Sequence, residues 1–380
     1  MKKILIASLV FATVFMTSGA AVAETTNINT GLTQVQAGGE APFIKVKWEM
    51  NPTKDDNGKY LGTDDAPDAG AQFLAPGVKD ARRTIAICAI VTDPDSINDI
   101  AGVYADVYYP DGIALGSSHK KLENQSGAGC GQFMQQDKLN ELSKTDGIEL
   151  FCNKIRNNNT NLPTFDISQT SDYWYNDICK ADGELLKMTA KVYCAEKDLS
   201  YEDPSGSYKV VAQAQDTNSL NDTLENSFEY LPLTAFQADF SNVNYGNVKL
   251  NIEKIINGDL VFDEGMNSTM PTVRNVGNTR MNLTVWQSDM GLGKSSGVWN
   301  VKYDARVGSY VEHVDYLPEV TTELEDSLDL SETDEVDFSI LVSKFPTSGS
   351  TSWTGTMVLG AKTVHHLCCD SGTGHECLQD

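Results

Sequence analysis

The sequence predicts a mainly β protein of two β-sandwich domains, the first carrying a small α-helical insertion. Three observations predict it. Short runs alternate apolar and polar residues with a period of two. Clusters of Pro, Gly and Asp separate those runs and supply turns. Between about residues 116 and 183 the alternation stops, and the apolar spacing suits short helices instead. A strand with one apolar face must bury it, and stacking two sheets does so.

The first 23 residues read as a secretory signal peptide. Lys2 and Lys3 precede an apolar run from Ile4 to Met16, and Ala21-Val22-Ala23 forms an A-x-A cleavage site. The run is too short to span a bilayer. Residues 24–40 are polar and read as a flexible leader. The first sandwich is expected over residues 41–232, the second over 233–362, and a Cys/His-rich tail over 363–380. No later segment approaches 18 apolar residues, so no membrane anchor is expected.

The strands follow in order. Ile44, Val46 and Trp48 alternate with Lys45, Lys47 and Glu49. Thr84–Val91 is an apolar strand holding Cys88. Val103, Ala105, Val107 and Tyr109 alternate with Tyr104, Asp106 and Tyr108, and Pro110-Asp111-Gly112 then turns the chain. Asp137–Lys144, Asp146–Arg156 and Ser171–Lys180 read as helices. Leu186, Met188, Ala190, Val192 and Cys194 share one face of a strand, as do Tyr208, Val210, Ala212 and Ala214. Leu231-Pro232-Leu233 marks the domain boundary.

Beyond it, alternation predicts strands at Leu250–Ile252, Met281–Val285, Trp299–Ala305, Val336–Val342 and Met357–Ala361. Asn275-Val276-Gly277-Asn278 reads as the turn of a hairpin between Val273 and Met281. The acidic stretch from Glu319 to Asp337 reads as a long solvated loop and the start of a strand.

Charge argues against two classes of partner. With 29 Lys and Arg against 53 Asp and Glu, the formal net charge is −24. Nucleic acid binding needs clustered cations to neutralise phosphates, so no nucleic acid is expected. An anionic membrane surface is disfavoured on the same ground. Acidity of this size favours solubility and makes divalent cations suitable counterions.

Three stretches then carry a resemblance: Val91-Thr92-Asp93-Pro94-Asp95, the strand Val103–Tyr109 with its Pro110-Asp111-Gly112 turn, and Tyr208–Ala214. They resemble an immunoglobulin-like module. Adding Asn244-Tyr245-Gly246, Pro271–Thr279 and Trp299–Arg306, the chain resembles a family of secreted surface proteins of methanogenic and related archaea. The resemblance covers most of residues 41–361 and implies two immunoglobulin-like sandwiches. The second half is similar, more loosely, to fibre subunits of the TasA/camelysin type and to archaeal bundling pili. Those relatives imply a structural surface role.

Eight cysteines are disulfide candidates. Five lie in the first half: Cys88, Cys130, Cys152, Cys179 and Cys194. Three lie in the tail: Cys368, Cys369 and Cys377. Both groups are odd, so either one bridge joins tail to body, or a thiol in each group is free or bonds another chain. Cys130, Cys152, Cys179 and Cys194 are expected to staple the helical insertion, and Cys88 can sit as a buried apolar residue. Asn124, Asn158, Asn221, Asn267 and Asn282 begin N-x-S/T sequons and are glycosylation candidates.

Metal signals are weaker. Asp93, Asp95 and Asp99 on one turn offer oxygen ligands for calcium, as do Asp55, Asp56, Asp64 and Asp65. Neither stretch matches an EF-hand loop, and Asp serves turns without any ion. The His365-His366-Leu367-Cys368-Cys369 tail offers softer ligands. Trp174, Trp286, Trp299 and Trp353 are candidates for a sugar-binding face. No G-x-S-x-G, H-E-x-x-H or Walker motif is present, and His119 and His313 have no nucleophile near them in sequence. The expected role is structural: a self-associating, non-enzymatic subunit of an extracellular sheath, layer or filament, with no cofactor beyond possible calcium. The alternative is a monomeric adhesin or glycan-binding module.

Overall fold

The computed structural model describes residues 39–66, 70–110, 133–155, 177–309, 312–347 and 351–364. The protein is mainly β, with strands gathered around two separate apolar cores.

The first unit holds β1 (Phe43–Met50), β2 (Gln72–Leu74), β3 (Arg82–Thr92), β4 (Ile100–Tyr108), β5 (Phe133–Glu141), β6 (Ala190–Ser200), β7 (Gly206–Asp216) and β8 (Asn221–Leu231). They hydrogen-bond in the order β1-β3-β6-β5-β4-β7-β8-β2. This path folds over at one place. β5 pairs with β4 along most of its length but meets β6 only at Asn140↔Cys194 and Glu141↔Tyr193. Beyond that point the two strands diverge, and β1-β3-β6 becomes a layer facing β4-β7-β8. Contacts across the gap confirm the stacking. The Ile44 N–H donates to Asp222 Oδ2 at 2.9 Å, and Lys47 on β1 reaches Asn226 on β8.

Every residue of β3 from Ile85 to Val91 is fully buried. A strand buried on both faces reads as a continuous apolar run, and Ile85-Ala86-Ile87-Cys88-Ala89-Ile90-Val91 is one. Its inner face meets the second layer. Its outer face carries Cys88, level with Trp48 on β1 and Cys194 on β6. Helix α1 (Lys144–Ile148), a π-helical stretch (Glu149–Ile155) and α2 (Glu184–Lys187) belong to the region that covers this side. Trp48 packs on Phe151 with ring centroids 5.5 Å apart. Ser143 caps α1 by accepting from the Asp146 N–H.

The second unit holds β9 (Phe236–Ala238), β10 (Lys254–Ile256), β11 (Thr272–Asn275), β12 (Met281–Gln287), β13 (Lys294–Ser295), β14 (Val298–Trp299), β15 (Val301–Val307), β16 (Val314–Tyr316), β17 (Thr322–Leu328), β18 (Thr333–Val342) and β19 (Met357–Thr363). One sheet runs β16-β15-β18-β11-β9, with β10 also pairing β18, and the other runs β17-β12-β19. Val273, Leu283, Val285, Tyr303, Ala305 and Phe338 fill the space between them.

Five expectations are corrected. Leu250–Ile252 is not a strand: Leu250 and Ile252 are exposed, and the chain pairs with β18 only from Lys254 to Ile256, as β10. Residues 137–141 belong to β5, not to a helix, because their backbone pairs with β4 from Asp137↔Ala105 to Leu139↔Val103. β6 starts at Ala190: Leu186 and Met188 are exposed, the first within α2 and the second at its left-handed cap. The acidic stretch after Glu319 contains β17, anchored by buried Leu324 and Leu328. Asn275–Asn278 is not a hairpin turn. β11 pairs with β9 and β18, whereas β12 pairs with β17 and β19, so the segment arches from one sheet to the other.

That arch also fastens the two units together. The Asn278 side chain accepts from the Leu233 N–H at 2.6 Å and donates to the Leu231 carbonyl at 3.0 Å. Ser205, in the β6–β7 turn, donates to the Asn278 carbonyl at 2.9 Å. Val276 and Gly277 both donate to the Ala235 carbonyl. A Cβ on Gly277 would lie 2.1 Å from the Leu233 carbonyl oxygen.

The junction generates a test. Asn278→Ala strips two hydrogen bonds from a buried site and should cost about 1–3 kcal/mol. Gly277→Ala should cost more, because backbone must move to admit the methyl. Denaturant midpoints of the two variants check both, and midpoints equal to the parent's would disprove the clamp.

Candidate functional site

The divergence of β5 and β6 opens a polar groove of about 660 Å³. Gln135 and Asp137 line it from β5, Lys197 and Asp198 from β6, and Tyr109 and Asp203 from the strand ends. Among the described residues, β6 beyond Cys194 pairs with β3 alone, and β5 before Asn140 pairs with β4 alone. Two strand edges therefore flank one groove.

Lys197 is the central side chain, only 3% exposed. It hydrogen-bonds Gln135 and lies 3.7 Å from Asp137. Burial pulls its ammonium below the usual lysine range, against the opposing pull of Asp137. Asp203 accepts from Tyr109 Oη at 3.3 Å and from the Ser200 N–H at 2.6 Å. Burial and the Asp203 carboxylate together raise the Tyr109 phenol. Among the described residues no three His, Cys, Asp or Glu side chains come together as a metal site. The arrangement suits a polar, extended segment, which strand edges can hydrogen-bond through its backbone.

The structure distributes the residues singled out in the sequence. Cys88 pairs with Cys194 across β3 and β6, with Cα atoms 4.2 Å apart. Cys152 pairs with Cys179, with Cα atoms 5.6 Å apart. The second bridge staples the helical region. The first bridge instead ties two strands, so Cys88 is bonded and is not a lone buried thiol. Cys130, Cys368, Cys369 and Cys377 lie outside the described residues, as do the signal segment, His119, Trp174 and the tail histidines.

The aspartates of the first loop serve turns. Asp93 Oδ1 accepts from the Asp95 and Ser96 N–H groups, and Asp95 Oδ2 accepts from the Glu40 N–H. The Asp99 carbonyl accepts from the Thr217 N–H at 2.8 Å. Asp65 pairs with Arg83 at 2.7 Å. Asn221 and Asn267 are exposed. Asn282 is half-buried, donating to Glu323 and accepting from Ser327 on β17. Asn124 and Asn158 lie outside the described residues. His313 pairs with Asp304 at 2.6 Å. Trp353 stacks on Phe345 and Lys294 lies over Trp299, while Trp286 stands half-exposed on the outer face of β12.

Sequence reasoning missed the groove. Its one legible trace is Lys197 in the middle of a strand, which looks like any outward lysine until β5 is placed beside it.

No protein-family model matches the chain, and no curated protein sequence is significantly similar to it. Solved structures give weak matches. A chaperone–tip adhesion subunit pre-assembly complex from archaic chaperone-usher Csu pili of Acinetobacter baumannii is 10% identical with a TM-score of 0.23, covering 78% of this chain and 99% of that one. A chaperone–tip adhesin complex of CFA/I fimbriae biogenesis is 8% identical with a TM-score of 0.26, covering 88% and 94%. A carbohydrate-binding module of the β-sandwich superfamily is 10% identical with a TM-score of 0.15, covering 86% and 97%. Likeness at this level carries no functional information.

The acidic loop yields a pH prediction. Burial pushes the Asp64 carboxyl up to about 6. The folded state therefore holds a proton that the unfolded chain releases near its ordinary value, and stability falls as pH rises from about 4 to about 6. Asp64→Asn should raise the melting temperature at pH 7 and leave it nearly unchanged at pH 4. An equal effect at both values would exclude a raised carboxyl.

Proposed function

We propose that this protein is a structural subunit of an extracellular cell-surface assembly and that it joins its neighbours through strand edges. The observation that carries this reading is the groove, where β5 and β6 part and leave two edges facing one space. Strand edges are templates for pairing with another chain. A second edge supports the reading. Among the described residues β19 pairs with β12 alone, and Val358 on it is 53% exposed.

The donor would be the leader, residues 24–38, of a neighbouring copy. Ile28, Leu32 and Val35 stand among Thr, Asn and Gln there, which suits a polar groove. The same copy's leader would spend about ten of its fifteen residues on reaching the groove. Glu40 bonds Asp95 at one end of β3, while the groove opens beside Arg82 at the other. Eleven strand residues separate those ends by about 35 Å. Two disulfides fit an oxidising compartment, in keeping with the signal segment. The tail cysteines would lock neighbours covalently.

A second reading rests on Trp286. It shares an outer sheet face with Thr284, which is level with Glu323, and with Asn282, which is level with Lys362, a polar row suited to hydrogen-bonding a sugar that stacks on the indole. That would make the protein a monomeric glycan-binding adhesin.

Sedimentation and reducing and non-reducing gels of the native protein separate the two. The structural reading expects oligomers that loosen when residues 24–38 are removed and that lose covalent links when Cys368, Cys369 and Cys377 become Ser. A monomer at every concentration, with or without the leader, sinks it. A glycan-array signal abolished by Trp286→Ala would then favour the adhesin.

A further inference from the structure

The most unusual place in the molecule lies between β1 and β8. The sequence pattern sends Lys47 and Glu49 towards water, yet both side chains are 0% exposed. They sit on the inner face of β1, opposite Ala89 and Ile87 of β3, both fully buried. Facing them is Asn226 of β8, level with buried Val210 of β7 and two residues from Phe228.

The three polar groups touch one another. Lys47 Nζ meets the side-chain carbonyl of Asn226. It also meets one oxygen of Glu49. The other Glu49 oxygen accepts from Asn226 Nδ2 at 2.9 Å. One carboxyl group thus bridges an amine and the amide nitrogen of the carbonyl that the amine faces. A structural ion pair needs only the Lys47–Glu49 contact, and it would carry a heavy desolvation cost in such a site.

We propose that Lys47 and Asn226 become joined by an intramolecular isopeptide bond, with Glu49 carrying the proton. Lys47 passes a proton to Glu49 and becomes an amine. Its nitrogen lone pair attacks Asn226 Cγ, and the Nζ–Cγ bond forms. Nζ gives up one further proton and Nδ2 gains one, relayed through the Glu49 carboxyl that touches both. The Cγ–Nδ2 bond breaks and that nitrogen leaves as ammonia. Glu49 then yields its first proton to the ammonia and returns to its starting form. No oxidant, metal or nucleotide enters the balance.

Several features favour the step. Burial lowers the Lys47 ammonium, against the pull of Glu49 and Glu225, which frees the amine as a nucleophile. Holding amine and amide in contact replaces a bimolecular encounter with an intramolecular one. Lys47 and Glu49 are fully buried, which limits the water that would compete with or reverse the reaction. The placement also has a consequence. β1 and β8 are the first and last strands of the unit, and the joined residues lie 179 apart in sequence. The bond would close nearly the whole unit into one covalent ring.

The test is intact-mass spectrometry of the reduced, folded protein, made in a host that adds no glycans. The parent should be lighter than its sequence by about 17 Da, the mass of one ammonia. Digestion should give one branched peptide holding both Lys47 and Asn226. Protein recovered unfolded should have full mass and lose the ammonia on refolding. Glu49→Gln and Lys47→Arg should keep full mass while retaining the parent's circular dichroism. Asn226→Asp supplies a further check if the others misfold, since its cross-linked product has the same mass as the parent's. Full mass and no branched peptide in the folded parent would overturn the bond. A cross-link that persists in Glu49→Gln would overturn the part assigned to Glu49. Neither result depends on whether the protein assembles.

Discussion

Burial of β3 on both faces is the constraint on which the first unit is built. A central strand with no polar side chain from Ile85 to Val91 must be covered twice. The second sheet layer covers one face, and the helical region held by Cys152–Cys179 covers the other. β1, its neighbour, inherits the same double burial from Val46 to Met50, which places Trp48 under the helices and Lys47 and Glu49 in the core. The Cys88–Cys194 bridge follows from it too. Two cysteines level with each other on paired strands, under a cover that excludes water, are held where a bridge can close.

The same constraint explains what was legible in the sequence. Strands with one wet face announce themselves by alternation: Tyr208–Ala214, Met281–Val285 and Val301–Ala305 all lie where the pattern puts them. β3 is legible as an unbroken apolar run. Lys47 and Glu49 mislead because alternation reports polarity and not exposure, and nothing local says that a second layer waits on the polar side. β5 is illegible for the opposite reason. Leu139 is its one buried residue, so it has no period to read, and its strand character comes entirely from β4 beside it. The Asn275–Thr279 arch is half legible: its glycine and asparagines announce a turn, but which sheet each flanking strand joins is decided by partners far along the chain.

The groove was hidden for the same reason. It exists because β5 and β6 part after two residue pairs, and pairing is a property of two segments more than fifty residues apart, not of either one. Lys197 stays buried there because Gln135 and Asp137 arrive from the other strand to satisfy it. A site built from a separation between strands leaves no motif in either.

The layout of the first unit also bears on load. Ile44 meets Asp222 while Lys47 meets Asn226, so β1 and β8 run in the same direction on facing layers. The chain therefore enters at the end near Asp95 and leaves at the opposite end, beside the Ser205–Asn278 contact with the second unit. Force along the chain would act on the unit lengthwise, and many lateral contacts would have to yield together. The contact between Lys47 and Asn226 lies on the direct path from entry to exit. The Cys88–Cys194 bridge does not, because it ties two strands inside one layer. A bond at the first place would carry load past β2 to β7, whereas the disulfide holds the layer flat beneath its helices. The two positions answer different demands, and only the one between β1 and β8 would let the unit be pulled without opening.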